Sequence, residues 1–188
     1  ISSSSDFDFG TGDFTIETWV YPTSTVEEDV VNQWHSVASA FSGMWQVGIV
    51  GGKIKFHWYD SGTNTITDTS SISTGNWYNI AVTRSSGTLR LFVDGTQVAT
   101  TTTNSSIGSS SQNLRVGSQL NGSGPLNGYV DELRITKGVA RYTSNFTPQS
   151  REFYPGTSVD DITSNNLSTF LTNATLNTSH PKSYEFDG

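Results

Sequence analysis

The stretch WQVGIVGGKIKFHWY, residues 45–59, decides the fold class of this chain. On both sides of Gly51-Gly52, apolar side chains alternate with polar or small ones, which is the pattern of half-buried β-strands. The paired glycines suit a tight turn because glycine readily adopts positive φ. The segment therefore predicts a β-hairpin in which Ile54, Phe56 and Trp58 face a core.

Period-two patterns continue on both sides of this hairpin. Further strands are predicted at residues 14–22, 77–83, 89–93, 97–99, 114–117 and 128–135. Helical periodicity is weak: residues 138–142 are predicted as one short turn, and residues 26–41 as a long loop. Short strands at this spacing, separated by glycine-containing turns, indicate an all-β sandwich of two sheets.

Composition limits the classes of function. A chain of 188 residues fits a domain with a substantial core. The net charge of −7 and the ten Lys and Arg residues argue against nucleic-acid binding. Apolar runs stay short of membrane-spanning length, so we expect no membrane insertion. The chain has no cysteine.

The composition changes after Pro155. We predict a domain over residues 1–155, a connector rich in Ser, Thr and Asn over residues 156–182, and a C-terminal strand over residues 183–188. In that last segment Tyr184 and Phe186 alternate with acidic residues, as in a strand with one apolar face.

Four stretches resemble laminin G-like domains of the concanavalin A-like lectin/glucanase superfamily, above all those of phage virion fibres and large bacterial surface proteins. They are FGTGDFTIETWVYP (9–22), GNWYNIAVTR (75–84), LRLFVDGTQVAT (89–100) and LNGYVDELRITKGVARYTSNFTP (126–148). The resemblance covers roughly residues 6–155. It implies an antiparallel jelly-roll sandwich, with sugar binding or adhesion as the usual function, often with calcium.

The position of one strand departs from the usual order of this family. Such domains usually begin with a strand resembling residues 183–188, which here close the chain. One interpretation is that Tyr184 and Phe186 complete a neighbouring sandwich, so that copies or tandem repeats associate head to tail. The other is that they pack on their own sandwich.

Glycoside hydrolysis needs two carboxylates at a defined separation, and the acids of this sequence do not form such a pair. Glu17 stands alone, and residues 27–29 are consecutive acids in a predicted loop. Asp131 and Glu132 are adjacent, so that a regular strand would place them on opposite faces. The Gly-x-Ser-x-Gly motif of serine hydrolases is missing. We therefore predict that the protein is not an enzyme.

Calcium binding is implied by the family resemblance. Asp131 matches the acid of the late-strand motif, and Asp6, Asp8 and Asp13 match the early acids. Carboxylates are the ligands that calcium prefers, so these four residues are the predicted metal ligands. The alternative is that Asp131 orients a strand end while the early acids form a solvated turn.

Sugar binding would use aromatic rings together with side chains that bond hydroxyl groups. Trp19, Trp58 and Trp77 are in phase with core residues and are predicted to be structural. The candidate residues lie in the 26–41 loop or on strand faces turned away from the core: Trp34, His35, His57, Tyr59, Arg90 and Phe92. The alternative is an ordinary exposed face.

These patterns predict a structural or adhesive module of an extracellular assembly, such as a virion fibre, decoration protein or surface filament, that also binds glycans. The alternative is a carbohydrate-binding module appended to a larger secreted enzyme or receptor. In both cases the expected location is extracellular, on a cell surface or on a virion. The expected partners are further copies of the chain and a glycan.

Overall fold

The computed structural model describes residues 1–34, 43–108, 111–119, 122 and 124–149, and it confirms the all-β sandwich. Residues Ile1–Pro148 form one compact unit. Its strands are β1 (Phe14–Pro22), β2 (Glu27–Asn32), β3 (Trp45–Val50), β4 (Lys53–Tyr59), β5 (Thr63–Thr67), β6 (Tyr78–Ser85), β7 (Thr88–Val93), β8 (Thr96–Thr102), β9 (Arg115–Val116) and β10 (Gly128–Lys137). The one helical element in these ranges is a 3-10 turn at Ser5–Phe7.

In the described part of the chain, ten antiparallel strands form two sheets of five. The first sheet has the order β10-β1-β6-β7-β8, and the second has the order β5-β4-β3-β2-β9. The predicted hairpin is confirmed as β3 and β4, with Val47 opposite Phe56 and Ile49 opposite Ile54. Gly51 and Gly52 both have positive φ, as their turn requires.

The core lies between the two sheets. Along β4 the burial alternates strictly, so that Ile54, Phe56 and Trp58 face inward as predicted. Phe14 of β1 stacks on Phe9, with ring centroids 4.4 Å apart. Each sheet therefore has an inner face on this core and an outer face turned away from it.

Two predictions of local structure are wrong. Residues 27–32, predicted as part of a loop, form β2, whose residues from Glu28 onward are all buried. A strand covered on both faces lacks the alternation by which strands are recognised, and a register shift between Asp29 and Val31 disturbs it further. Residues 138–142 form no helical turn.

The tryptophans only partly follow the predicted core phase. Trp58 is buried in the core as predicted. Trp19 lies half-buried on the opposite face of β1 from Phe14, because their positions differ by an odd number of residues. Trp77 precedes β6 and is 39% exposed.

Several predicted features lie outside the described residues. They are His35, Tyr184, Phe186, the connector at 156–182 and the strand at 183–188. The domain boundaries and the strand-exchange hypothesis therefore stay predictions. Within the described ranges, no helix is long and apolar enough to cross a membrane.

Candidate functional site

The outer face of the second sheet brings together three of the predicted sugar-binding residues. His57 and Tyr59 are outward residues of β4, and Trp34 follows β2 on the same face. The rings of Trp34 and His57 meet edge to face, with centroids 6.3 Å apart. We call the surface formed by Trp34, Gln46, Lys55, His57, Tyr59 and Thr65 the polar face.

The register of the strands defines the centre of the polar face. Asn32, Gln46, His57 and Thr65 lie side by side across β2, β3, β4 and β5. Asn32 is fully buried and Gln46 is 7% exposed, whereas His57 is half-buried and Thr65 is exposed. The accessible part of this row is therefore its β4–β5 end, next to Trp34.

His57 is held with one ring nitrogen turned to the protein. Its Nδ1 lies 2.8 Å from Oγ1 of Thr65. Burial lowers the pKa of His57, and the positive charge of Lys55 lowers it further. The neutral ring is therefore favoured at neutral pH. Neither Nε2 of His57 nor the indole N–H of Trp34 is hydrogen-bonded within the described part of the chain.

Asp29 is a buried acid beside the polar face. Its Oδ1 accepts a hydrogen bond from the Gln46 side-chain amide. Burial raises the pKa of Asp29 to about 6, because the cost of placing a charge away from water exceeds the opposing effect of a hydrogen bond from Gln119. Gly124 lies so close to Oδ2 of Asp29 that the position has no room for a Cβ atom.

The acids at residues 27–29 lie in strand β2 and not in the predicted loop. Glu27 and Asp29 are both aligned with outward positions of β3, so these two side chains do share a face. However, Asp29 is 0% exposed, and a substrate cannot reach its carboxyl group. The pair therefore lacks the accessible geometry that glycoside hydrolysis requires.

The outer face of the first sheet is covered by the segment at residues 138–148. Phe92, predicted to be available to sugars, is 0% exposed. The rings of Tyr142 and Phe146 stack 3.6 Å apart, and Phe146 contacts Phe92 with ring centroids 5.4 Å apart. The predicted exposure of Phe92 is wrong, because a later segment of the chain folds over its strand. Arg90 is half-buried on this face.

A buried ionic cluster fixes the covering segment to the first sheet. Glu17 is 2% exposed, and its Oε1 accepts from Nε of Arg134 at 2.7 Å. The hydroxyl of Tyr142 donates to Oε2 of Glu17 at 2.8 Å. Burial and the Glu17 carboxylate together raise the pKa of Tyr142 to about 12. Glu17 is therefore a structural acid.

The four predicted calcium ligands do not form one cluster. Asp13 accepts from the Ser86 backbone N–H and Asp8 from that of Gly10. Asp131 is paired with Trp19, whereas Asp13 lies just before Phe14, at the other end of β1. Asp6 is bonded to Ser4. Within the described ranges, no three His, Cys, Asp or Glu residues converge on a metal position. Calcium binding stays a prediction.

Sequence reasoning missed Gln46, Asn32 and Thr65. Gln46 could have been found, because it has the outward phase of its strand, like His57. Asn32 lay in the segment mistaken for a loop. Thr65 belongs to a strand that is polar apart from Ile66, and it gave no recognisable alternation of apolar residues.

Solved structures with a similar fold include domains of a laminin, a sialidase and an arabinanase. Domains LG4-5 of the mouse laminin alpha1 chain match with a TM-score of 0.55 and 21% identity, over 71% of this chain and 38% of that one. The CBM40 of the Ruminococcus gnavus IT-sialidase, bound to alpha2,3 sialyllactose, matches with a TM-score of 0.58 and 14% identity, over 76% of this chain and 90% of that one.

Domain 4 of an extracellular GH43 arabinanase from Geobacillus stearothermophilus, in complex with arabinotriose, has a TM-score of 0.54 and 18% identity, over 74% of this chain and 64% of that one. At these identities the likeness establishes the fold. The present chain spans well under half of the laminin chain. No curated protein matches the sequence.

The family follows from a match between the sequence and a family model. The model of the concanavalin A-like lectin/glucanases superfamily matches residues 1–141, which is most of the chain. The matched region contains all ten strands of the two sheets. The chain therefore belongs to the concanavalin A-like lectin/glucanases superfamily.

Proposed function

We propose that this chain is a non-catalytic glycan-binding module that acts outside the cell, and that the polar face is its binding surface. The observation that carries the proposal is the contact between Trp34 and His57 on the accessible end of the polar row. An aromatic ring beside unused hydrogen-bonding groups is the combination that sugar sites employ. The Tyr59 side chain extends the same surface.

Two further observations support this proposal. The competing surface on the first sheet is covered by residues 138–148, so Phe92 cannot stack on a ligand. In addition, two proteins with a similar fold were solved with sugars bound, one with sialyllactose and one with arabinotriose. Among the residues that the structure describes on the polar face, no two accessible carboxylates form a pair, which favours binding over hydrolysis.

The test is a glycan array followed by calorimetric titration of the best ligand. We expect Trp34→Ala to weaken binding at least tenfold, since losing a stacking ring and a donor removes more than about 1.4 kcal/mol. Trp77→Ala is the matched control, because Trp77 is a tryptophan that is 39% exposed but lies next to Tyr21 on the first sheet. Equal losses in the two variants would contradict the assignment of the site.

The assembly role and calcium dependence are further proposals, and they rest on the sequence. If residues 183–188 add to a neighbouring copy, the double variant Tyr184→Ser with Phe186→Ser should turn oligomers into monomers in size-exclusion chromatography. If calcium binds, millimolar calcium should raise the melting temperature, and Asp131→Asn should remove that gain.

A further inference from the structure

Three aromatic side chains meet on the outer face of the first sheet, at the end that the covering segment leaves exposed. Tyr21 lies between the other two, with its ring centroid 5.5 Å from that of Trp77 and 5.9 Å from that of Tyr129. Trp77 is 39% exposed and Tyr129 is 61% exposed. We call these three residues the aromatic cluster. It is separate from the polar face, which belongs to the second sheet, and so it is a candidate for a second binding site.

The strand pairing explains how the aromatic cluster forms. Tyr21 in β1 is opposite Tyr129 in β10, and Trp77 immediately precedes β6, the other neighbour of β1. Since Val20 is buried in the core, the next residue, Tyr21, faces outward. The ring planes of Trp77 and Tyr129 are inclined to that of Tyr21 by 56° and 55°. Rings inclined in this way suit a rounded group better than the flat face of a sugar ring.

Two acids flank the aromatic cluster. Asp131 is opposite Trp19, which precedes Tyr21 by two residues and so shares its face of β1. Asn79 is the other partner of Trp19, and its backbone N–H donates to Oδ1 of the exposed Asp94 at 2.8 Å. The described residues at these positions and in the cluster include no Lys or Arg. Because the chain also has a net charge of −7, the potential at this surface favours a cation.

A buried amide oxygen adds to this negative potential. Asn79 is 3% exposed, and its Oδ1 has no hydrogen-bond partner within the described part of the chain. Because Ile80 faces the core, Asn79 faces outward, as does Trp77 two residues earlier. The oxygen lies too deep to contact a ligand. Its partial negative charge, which no donor offsets, nevertheless favours a cation at the surface above it.

We propose that the aromatic cluster binds a quaternary ammonium group, as found in choline, and that this activity is independent of glycan binding on the polar face. The faces of Trp and Tyr rings carry negative partial charge and attract a cation that lies within about 6 Å of the ring centroid. A quaternary ammonium donates no hydrogen bond, so it needs no acceptor in contact with it. A primary ammonium or a guanidinium carries several donors that need acceptors, whereas this surface offers mainly ring faces.

The first experiment is an NMR titration of the full chain with choline, with a chelator present to exclude calcium. Two analogues are compared: 3,3-dimethylbutanol has the same shape without the charge, and ethanolamine has the charge without the methyl groups. We expect choline to bind with a Kd of about 10 mM and to shift the Trp77 indole N–H, with each analogue about tenfold weaker. Equal binding of dimethylbutanol would identify an ordinary apolar surface and overturn the inference. Equal binding of ethanolamine, or no binding of choline, would overturn it as well.

Substitutions assign the binding to the aromatic cluster. Trp77→Ala and Tyr129→Ala should each weaken choline binding about fivefold, whereas Tyr129→Phe keeps the ring and should keep the affinity. Trp34→Ala, on the polar face, is the matched control and should leave choline binding unchanged. Choline binding that survived both Trp77→Ala and Tyr129→Ala would overturn the inference. Because the two sites lie on different sheets, that result would leave the glycan proposal intact.

Discussion

Glu17 is a buried acid on the outer face of the first sheet, where Arg134 and the Tyr142 hydroxyl bind its carboxylate. Glu17→Gln keeps the shape but removes the charge that Arg134 faces. Because breaking one side of a buried ion pair is costly, we expect the free energy of unfolding to fall by about 3 kcal/mol. Urea denaturation measures this loss. Glu27→Gln, at an exposed position of β2, is the control, with an expected change within about 0.5 kcal/mol.

The raised pKa of Asp29 predicts that the free energy of unfolding depends on pH. Its pKa is about 6 in the folded protein, against an ordinary value of 3.8 for an aspartate exposed to water. Between these values the folded state binds more protons than the unfolded state, so the Asp29 contribution to stability falls as pH rises from about 4 to 6. Asp29→Asn removes this contribution. As pH rises from 4 to 7, the stability of the variant should therefore increase relative to that of the natural protein.

Urea denaturation at several pH values tests this prediction. Asp60→Asn, in an exposed turn after β4, is the control for loss of an acid. A difference between Asp29→Asn and the natural protein that stayed constant across the range would show that Asp29 is not perturbed by burial.

Among the structural elements, the covering segment at residues 138–148 stabilises the first sheet without contributing to the polar face. Phe146 packs on Tyr142 and Phe92. Phe146→Ala should lower the free energy of unfolding by about 2 kcal/mol, because the side chain is partly buried and the loss of a fully buried ring costs about 3–5 kcal/mol. The matched control is Val139→Ala, whose side chain is 50% exposed in the same segment.

Sugar affinity separates this structural role from a role in binding. Phe146→Ala should leave the affinity for the array ligand unchanged, as measured by titration below the melting temperature. A loss of affinity as large as that of Trp34→Ala would place the ligand on the first sheet instead.

The same elements show what sequence reasoning can recover. β4 was predicted correctly because one of its faces is buried and the other is polar, which produces alternation. β2 was missed because both of its faces are covered, and β5 because it is mostly polar. The alternation of β7 showed that Phe92 faces outward. That face is covered by Tyr142 and Phe146, which lie far along the chain, so no local sequence pattern reveals the covering.

For the whole molecule, the two sheets have different roles in this account. The outer face of the first sheet is closed by its own chain, through Tyr142 and Phe146. The outer face of the second sheet presents Trp34 and His57 at its β4–β5 end, whereas the β2 part of that face is covered. The location of the site therefore follows from which part of each outer face stays accessible, a property of the complete sandwich that no single motif defines.

The central claim, that the second sheet binds a glycan on its outer face, is tested most directly by mapping amide chemical shifts in NMR spectra while the array ligand is titrated. We predict saturable shifts at Trp34, His57, Tyr59 and Thr65, with little change at Arg90, Phe92 or Trp77. Shifts confined to the first sheet, around Arg90 or Trp77, would contradict the account.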